Sequence, residues 1–119
     1  IHPTNSAISF GRNAGNISNT TGHIAIGDSA ATAITSATPG VFIGNMAGKS
    51  VTSGGNNVFI GNLSGTNNTT GAQNSFYGSQ AGTNNISGAN NERSGTSYNT
   101  AMGYYALADD SIGINNTGV

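Results

Sequence analysis

Few side chains of this chain could carry out acid–base catalysis, and most of them are far apart in the sequence. Triad chemistry needs three convergent groups, and glycoside hydrolysis needs two carboxylates about 5–10 Å apart. Asp109 and Asp110 are neighbours, so their side chains diverge if the segment is extended. We therefore predict that the protein is not an enzyme. The candidate groups are His2, His23, Asp28, Glu92, Asp109 and Asp110.

Metal and cofactor chemistry has equally little support. The chain has no cysteine, and its four acidic residues are too few for an array of calcium sites. The segment Gly11–Gly15 lacks the lysine and the spacing of a phosphate-binding loop. Three copies of His23 around a threefold axis could bind a metal, although a surface histidine leading into a strand is the simpler interpretation. No cofactor is implied.

The composition excludes several classes of partner. Of the 119 residues, 6% are charged, and Gly, Asn, Ser and Thr number 19, 18, 14 and 14. The net charge is −1, and the cations Arg12, Lys49 and Arg93 are dispersed, so the chain has no basic patch to match phosphates or an anionic membrane. No apolar run reaches membrane-spanning length. We expect neither nucleic-acid binding nor membrane insertion.

One short phrase recurs along the chain: a bulky apolar residue followed by glycine. Successive glycines are separated by 16, 17, 17, 17 and 25 residues. A nearly fixed period of this kind is typical of repeat proteins. We count positions from this repeat glycine, so that the residue before it is position −1. The repeat glycines are Gly11, Gly27, Gly44, Gly61, Gly78 and Gly103.

The residues before each repeat glycine predict a β-strand, because they are rich in β-branched and aromatic side chains. Positions −3 and −1 share one face, and position −2 points the other way. Both faces are apolar in Val41-Phe42-Ile43, so one face can fill the chain's interior and the other must be covered by something else, for which another copy of the chain is the simplest candidate. Exposed phenylalanines would form an apolar surface prone to association, which is the main argument for an oligomer. The expected trimer or stacking core is Phe42, Phe59, Phe76, Ile26, Ile43 and Ile60.

The repeats predict an all-β fold, a parallel β-solenoid with coils of about 17 residues. The chain has no Asn-Gly or Asp-Gly pair, so two-residue hairpins and an antiparallel meander are disfavoured. Small residues at positions +3 and +4 suit a tight corner, or close backbone approach between chains. A weaker apolar phrase farther along each repeat predicts a second, shorter strand. Its clearest instances are Ile17-Ser18, Ile34-Thr35, Val51-Thr52 and Ile86-Ser87.

The whole chain, residues 1–119, is expected to be a single array of coils centred on the six repeat glycines. The long last interval contains eight extra residues, which predict an insertion loop at about 88–95. Residues 115–119 resemble the start of another strand. We therefore expect the array to be a piece of a longer fibre.

The best-formed repeats are Asn57-Val58-Phe59-Ile60-Gly61 and Asn99-Thr100-Ala101-Met102-Gly103-Tyr104-Tyr105-Ala106-Leu107. They resemble the repeats of phage tail-fibre proteins and are similar to the β-roll heads of trimeric autotransporter adhesins. The resemblance covers about residues 6–107 and implies a homotrimeric fibre, extracellular or on a virion or cell surface, that contacts a host cell. The period is longer than the usual adhesin-head repeat, which favours the tail-fibre side. No family catalytic residue carries over.

The expected function is that of a structural and adhesive fibre segment that presents side chains to a cell-surface glycan or protein. The alternative is a monomeric solenoid that binds ice or another ligand, because Thr35, Thr52 and Thr69 share one register and could form a flat ladder. The candidate receptor contacts lie in the insertion and among the nearby tyrosines. They are Asn90, Asn91, Glu92, Arg93, Tyr98, Tyr104 and Tyr105.

Overall fold

The computed structural model describes residues 7–15, 22–36, 39–85, 98–109 and 114–119. Within these ranges the chain forms one parallel sheet of seven short strands, which lie side by side in sequence order. The molecule measures 36 × 30 × 16 Å, so it is thin in one direction. The strands are β1 Ile8–Phe10, β2 Ile24–Ile26, β3 Val41–Ile43, β4 Val58–Ile60, β5 Ser75–Tyr77, β6 Thr100–Met102 and β7 Thr117–Gly118.

The strand register reproduces the sequence repeat position by position. Phe42 pairs with Phe59, and Phe59 pairs with Phe76, so equivalent residues of successive coils lie directly above one another. The interval of 25 residues also keeps register, because Phe76 pairs with Ala101. Residues 117–118 add β7 to the edge of β6. The prediction of a parallel β-solenoid with a period of about 17 residues is confirmed.

Each coil turns back through left-handed backbone conformations, which hold the corner after the strand. The residue at position +2 has φ between 55° and 61° in all six coils, although none of these residues is glycine. Position +4 is also left-handed, from Ala31 at 51° to Gly15 at 62°. Left-handed φ disfavours side chains with a Cβ, and at position +4 a Cβ would also meet the side chain at position −2, as a Cβ on Gly48 would meet the ring of Phe42, so glycine predominates there. The expected tight corner at positions +3 and +4 is confirmed.

The interior of the solenoid is built around position −2, and this corrects one expectation from the sequence. Phe42, Phe59 and Phe76 are fully buried within the single chain. The rings of Phe42 and Phe59 meet edge to face with centroids 5.6 Å apart, and those of Phe59 and Phe76 stack at 4.8 Å. The phenylalanine column therefore needs no second copy for cover, and the isoleucine and valine columns face outward instead.

Asparagines at position −4 add a buried hydrogen-bonded ladder beside the strands. The backbone N–H of Asn74 donates to Oδ1 of Asn57 at 2.9 Å, and that of Asn99 donates to Oδ1 of Asn74 at 3.0 Å. Asn116 continues the ladder with a 2.8 Å bond to Asn99. These side chains satisfy backbone groups where the chain enters each strand, so burying the amides carries no unpaired-group penalty at these positions.

The second strand predicted for each coil is absent from the described residues. Ile34 and Val51 are nevertheless fully buried, at position +7 of their coils. Asn68 and Asn85 continue this column and are joined by a side-chain hydrogen bond of 3.3 Å. Successive coils bond here through irregular backbone rather than strand ladders. The corresponding phrases Ile17-Ser18 and Ile86-Ser87 fall outside the described residues.

Candidate functional site

The main candidate site is the outward face of the parallel sheet, which we call the outer sheet face. It consists of positions −3 and −1 of every strand, and none of its described members is charged. In the first four strands all eight side chains are apolar, which is the reverse of an ordinary solvent-facing surface. The eight residues are Ile8, Phe10, Ile24, Ile26, Val41, Ile43, Val58 and Ile60.

The two columns of the outer sheet face are partly exposed. At position −1, Phe10 is 55%, Met102 is 53% and Tyr77 is 39% exposed, whereas Ile43 and Ile60 are half-buried like their neighbours at position −3. The members of the column at position −1 are Phe10, Ile26, Ile43, Ile60, Tyr77 and Met102.

A groove of about 530 Å³ runs along position −3 of the first four strands. Ile24 and Val41 belong to its apolar wall. The opposite wall comes from positions −5 and −4, where Pro39 and Gly40 are small. Since Ser75 and Thr100 replace the aliphatic residues at position −3 farther along the stack, the apolar lining is confined to the first four coils.

A second candidate surface is aromatic and lies in the sixth coil. The side chains of Tyr104 and Tyr105 are 72% and 51% exposed, and their ring centroids are 5.0 Å apart at an interplanar angle of 67°. Tyr98 is 59% exposed but precedes β6, whereas the other two tyrosines follow it. The structure therefore brings together two of the three predicted tyrosines. The predicted contacts Asn90, Asn91, Glu92 and Arg93 lie outside the described residues.

The described acid–base groups provide no candidate metal centre. His23 is only 3% exposed, so the expectation of a surface histidine is wrong. No cluster of three or more His, Cys, Asp or Glu occurs in the described ranges. Asp109 accepts a hydrogen bond from Asn84 at 3.1 Å. Its neighbour Asp110, like His2, falls outside those ranges.

The ion pair of Arg12 with Asp28 joins the first two coils at position +1. Arg12 Nε donates to Asp28 Oδ1 at 2.8 Å, and Nη2 donates to Oδ2 at 3.4 Å. This hydrogen bond holds the pKa of the Asp28 carboxyl below its usual value and raises that of the guanidinium. Both groups are solvated, so the pair contributes to coil alignment rather than to a site.

The threonine ladder considered for ice binding exists, but it is bonded within the protein. Thr35 Oγ1 donates to the backbone carbonyl of Thr52 at 3.2 Å, and Thr52 Oγ1 donates to that of Thr69 at 3.1 Å. The hydroxyl protons of Thr35 and Thr52 are therefore directed at the next coil rather than at solvent. The ladder helps to hold the coils together.

Two features of these surfaces were not recognised from the sequence. The outward direction of the Ile and Val columns could not be read from alternation, because both strand faces are apolar in the middle repeats. The asparagine ladder did leave a signal in the sequence, because in four successive coils an asparagine directly precedes the strand. These residues are Asn57, Asn74, Asn99 and Asn116. Recurrence of one polar residue at a fixed place in a stacked repeat indicates such a ladder.

The residues that the structure describes contain no helix long and apolar enough to cross a membrane. Comparison with known proteins gives no relative from which a function could be transferred: no family model, no curated protein and no solved structure matches the chain.

Proposed function

We propose that the chain is a structural and adhesive segment of a fibre, without catalytic activity. Three copies associate side by side into a stalk or head, which stands on a virion or cell surface outside the cell. The exposed residues of the assembly attach it to a cell-surface glycan or protein. This is the role of the phage tail-fibre and adhesin repeats that the sequence resembles.

The outer sheet face is the single observation that carries this proposal. It presents a continuous uncharged surface along the whole stack, and its aliphatic and aromatic side chains remain partly exposed in the single chain. Burying such side chains is worth roughly 25 cal/mol per Å² of apolar area. Contiguous apolar surfaces of this kind mark protein interfaces, whereas isolated exposed apolar residues do not. A homotrimer covers the face with the same chain.

The attachment role is supported by the division of the molecule along its axis. Positions −3 and −1 of the outer sheet face are both apolar in the first four coils, whereas the exposed Tyr104–Tyr105 pair belongs to the sixth. Exposed tyrosines combine a flat apolar ring with a hydroxyl, so they can stack on a sugar ring and bond to its hydroxyls. Association is thus assigned to one part of the stack and receptor contact to another.

Native mass spectrometry and multi-angle light scattering of the full chain test the association. We expect a trimer for the wild type. Ile43→Asp and Ile60→Asp should lower the native mass to that of a monomer, because they put charges on the outer sheet face. Lys49→Asp, an exposed position away from that face, is the matched control and should remain trimeric. A wild-type chain that is monomeric at micromolar concentration would refute the fibre proposal.

A cell-attachment competition assay tests the contact surface. Tyr104→Ala and Tyr105→Ala should each weaken competition for attachment sites by about tenfold, in line with ~1.4 kcal/mol per contact. Asn45→Ala is the control at an exposed position elsewhere on the stack. Unchanged competition by both tyrosine variants, with the trimer intact, would remove this surface from the proposal.

The alternative, a monomeric solenoid that binds ice or another ligand, is retained because the threonine register is real. A thermal-hysteresis measurement on the wild type and on Thr52→Val discriminates the two. Hysteresis that is present in a monomer and lost in the variant would favour ice binding. The fibre proposal expects none, since the hydroxyl protons of Thr35 and Thr52 are used between coils.

A further inference from the structure

The corner after each strand carries two side chains per coil, at positions +1 and +2, and these side chains form two columns along the stack. The backbone N–H of Gln80 donates to the carbonyl of Asn62 at 2.8 Å. Tyr105 makes the equivalent bond to the carbonyl of Ser79 at 3.1 Å. The tyrosine pair therefore lies one coil beyond Ser79 and Gln80, at a spacing of ~4.8 Å. We call these corners of the fourth, fifth and sixth coils the corner strip, whose members are Asn62, Leu63, Ser79, Gln80, Tyr104 and Tyr105.

The tyrosine pair gives the corner strip an apolar platform at the sixth coil. The rings of Tyr104 and Tyr105 are inclined at 67°, so a ligand that lies flat on one ring meets the other with its edge. Position +1 faces solvent in neighbouring coils as well, because Asn45 and Asn62 are also exposed. The exposure of Tyr104 thus follows from its place in the repeat, and the platform is open to a ligand beside the stack.

Next to the platform, the corner strip offers groups that donate and accept hydrogen bonds. Ser79 and Gln80 are half-buried, and their side-chain hydroxyl and amide form no hydrogen bond with another residue that the structure describes. The side chain of Asn62 donates to Oδ1 of Asn45 at 3.2 Å, and its own Oδ1 is left as an acceptor. Amides and hydroxyls of this kind pair with the hydroxyl groups of a ligand in either direction.

The corner strip is uncharged, and its surroundings contain little charge. Asp109 is the one charged side chain among the described residues of the fourth, fifth and sixth coils, and it accepts a hydrogen bond from Asn84. An anionic ligand would find no cation among these residues, and binding would remove its charge from water without a partner. The strip therefore suits an uncharged ligand that is rich in hydroxyl groups.

We propose that the corner strip binds a neutral oligosaccharide that lies along the stack. One sugar ring stacks on the tyrosine pair, and the sugars that follow bond to Gln80, Ser79 and Asn62. This inference rests on the attachment role proposed above and names the class of receptor. A sugar ring has an apolar face and a rim of hydroxyls, which match the platform and the polar groups beside it.

The size of the corner strip favours a glycan over a protein partner. Three coils at ~4.8 Å give a strip roughly 10–15 Å long, and it is two side chains wide. A standard protein interface buries ~800 Å² per partner around an apolar core, and the strip is too narrow to supply that area. A disaccharide or trisaccharide spans the strip and needs no larger surface.

Saturation-transfer NMR on the full chain tests the binding, with neutral trisaccharides of glucose, galactose, mannose and N-acetylglucosamine as probes and sialyllactose as the anionic comparison. We expect transfer to at least one neutral trisaccharide and none to sialyllactose. Titration should show its Kd raised about tenfold in Tyr104→Ala, which loses the aromatic contact. Ser79→Ala, which loses one hydrogen bond, should raise the Kd about fivefold.

The variants are chosen to leave the fold intact. Tyr104 and Ser79 are at position +1, where the described backbone is not left-handed, so alanine introduces no backbone strain. Tyr98→Ala is the matched control, because Tyr98 is 59% exposed but lies at the opposite end of β6, and its Kd should equal that of the wild type. Tyr104→Phe keeps the stacking ring and should retain most of the affinity.

The outcomes separate this inference from the proposed function. Binding of a neutral trisaccharide that Tyr104→Ala weakens and Tyr98→Ala does not supports the inference. Transfer to none of the probes, preference for sialyllactose, or equal weakening by both tyrosine variants overturns it. A trimer that competes for cell attachment but binds no glycan overturns the receptor class and leaves the fibre proposal intact. A monomer that binds the trisaccharide through Tyr104 overturns the fibre and supports the glycan site.

Discussion

The ring of Phe42 occupies the space that a side chain on Gly48 would need. A Cβ built on Gly48 would lie 2.7 Å from Cε1 of that ring. The same relationship recurs between Phe59 and Gly65 and between Phe76 and Gly82. In the sixth coil the small residue, Ala101, is at position −2, and the large residue, Leu107, is at position +4 and packs against the core. Positions −2 and +4 thus share one volume, which either residue can fill.

This shared volume makes a prediction about coupled substitutions. Phe76→Ala should cost about 3–5 kcal/mol of unfolding free energy through the cavity it leaves, and Gly82→Leu should be strongly destabilising because the ring blocks its side chain. Together they reproduce the arrangement of the sixth coil. The double variant should therefore recover ~1–3 kcal/mol relative to additivity, measured by a denaturant double-mutant cycle. Additive costs would contradict the shared volume.

The repeat glycines are predicted to be required for two separable reasons. Gly61 has φ 140°, and a Cβ there would press on the carbonyl oxygen of Gly78 in the next coil. Gly103 has a similar φ of 126°, but the nearest atom to its Cβ is 3.8 Å away.

Gly61→Ala should consequently destabilise the fold much more than Gly103→Ala, whose cost is the strained backbone alone, about 1–2 kcal/mol. Thermal unfolding followed by circular dichroism measures both. Equal losses would mean that close stacking of the coils contributes nothing.

The asparagine ladder is predicted to be a stabilising element. Asn74→Ala removes the acceptor of the buried N–H of Asn99, and an unsatisfied buried donor costs about 1–3 kcal/mol. Asn62 is the matched control, because its side chain donates to Asn45 at 3.2 Å on the exposed surface. Asn62→Ala should change the unfolding free energy by less than ~0.5 kcal/mol. Urea titration of the two variants measures their unfolding free energies. Equal losses in both would contradict a stabilising role for the ladder.

Acid should weaken the alignment of the first two coils. The pKa of Asp28 is lowered in the folded state by the hydrogen bond from Arg12, so the pair contributes above the carboxyl's unfolded pKa of about 3.9 and is lost as pH falls toward the lower folded value. The Tm of wild type should exceed that of Asp28→Asn slightly at pH 7, and the difference should disappear in strong acid. The Tm difference should also become smaller in 1 M salt, because the Arg12 and Asp28 side chains are solvated and salt screens their interaction. A difference that persists at pH 2 would contradict this origin.

Much of the fold could be predicted from local chemistry. The repeat glycine marks the point where the chain leaves the strand with a φ near 130°, which an L side chain rarely adopts. The small residues at positions +3 and +4 mark the corner, and the missing hairpin signals imply parallel stacking. The register of Phe42, Phe59 and Phe76 follows from the period alone. These features are local, or repeat in sequence, and so can be read without the fold.

The tertiary structure decided which face of each strand is inside. In Val41-Phe42-Ile43 both faces are apolar, so alternation separates them without saying around which one the chain closes. The bend at positions +2 to +4 turns the chain toward position −2 and places Gly48 under the ring of Phe42. Because the coil closes around position −2, Val41 and Ile43 face outward, and the candidate interface consists of their columns rather than of the phenylalanine column. The direction of closure depends on contacts between distant parts of a coil, which no short segment specifies.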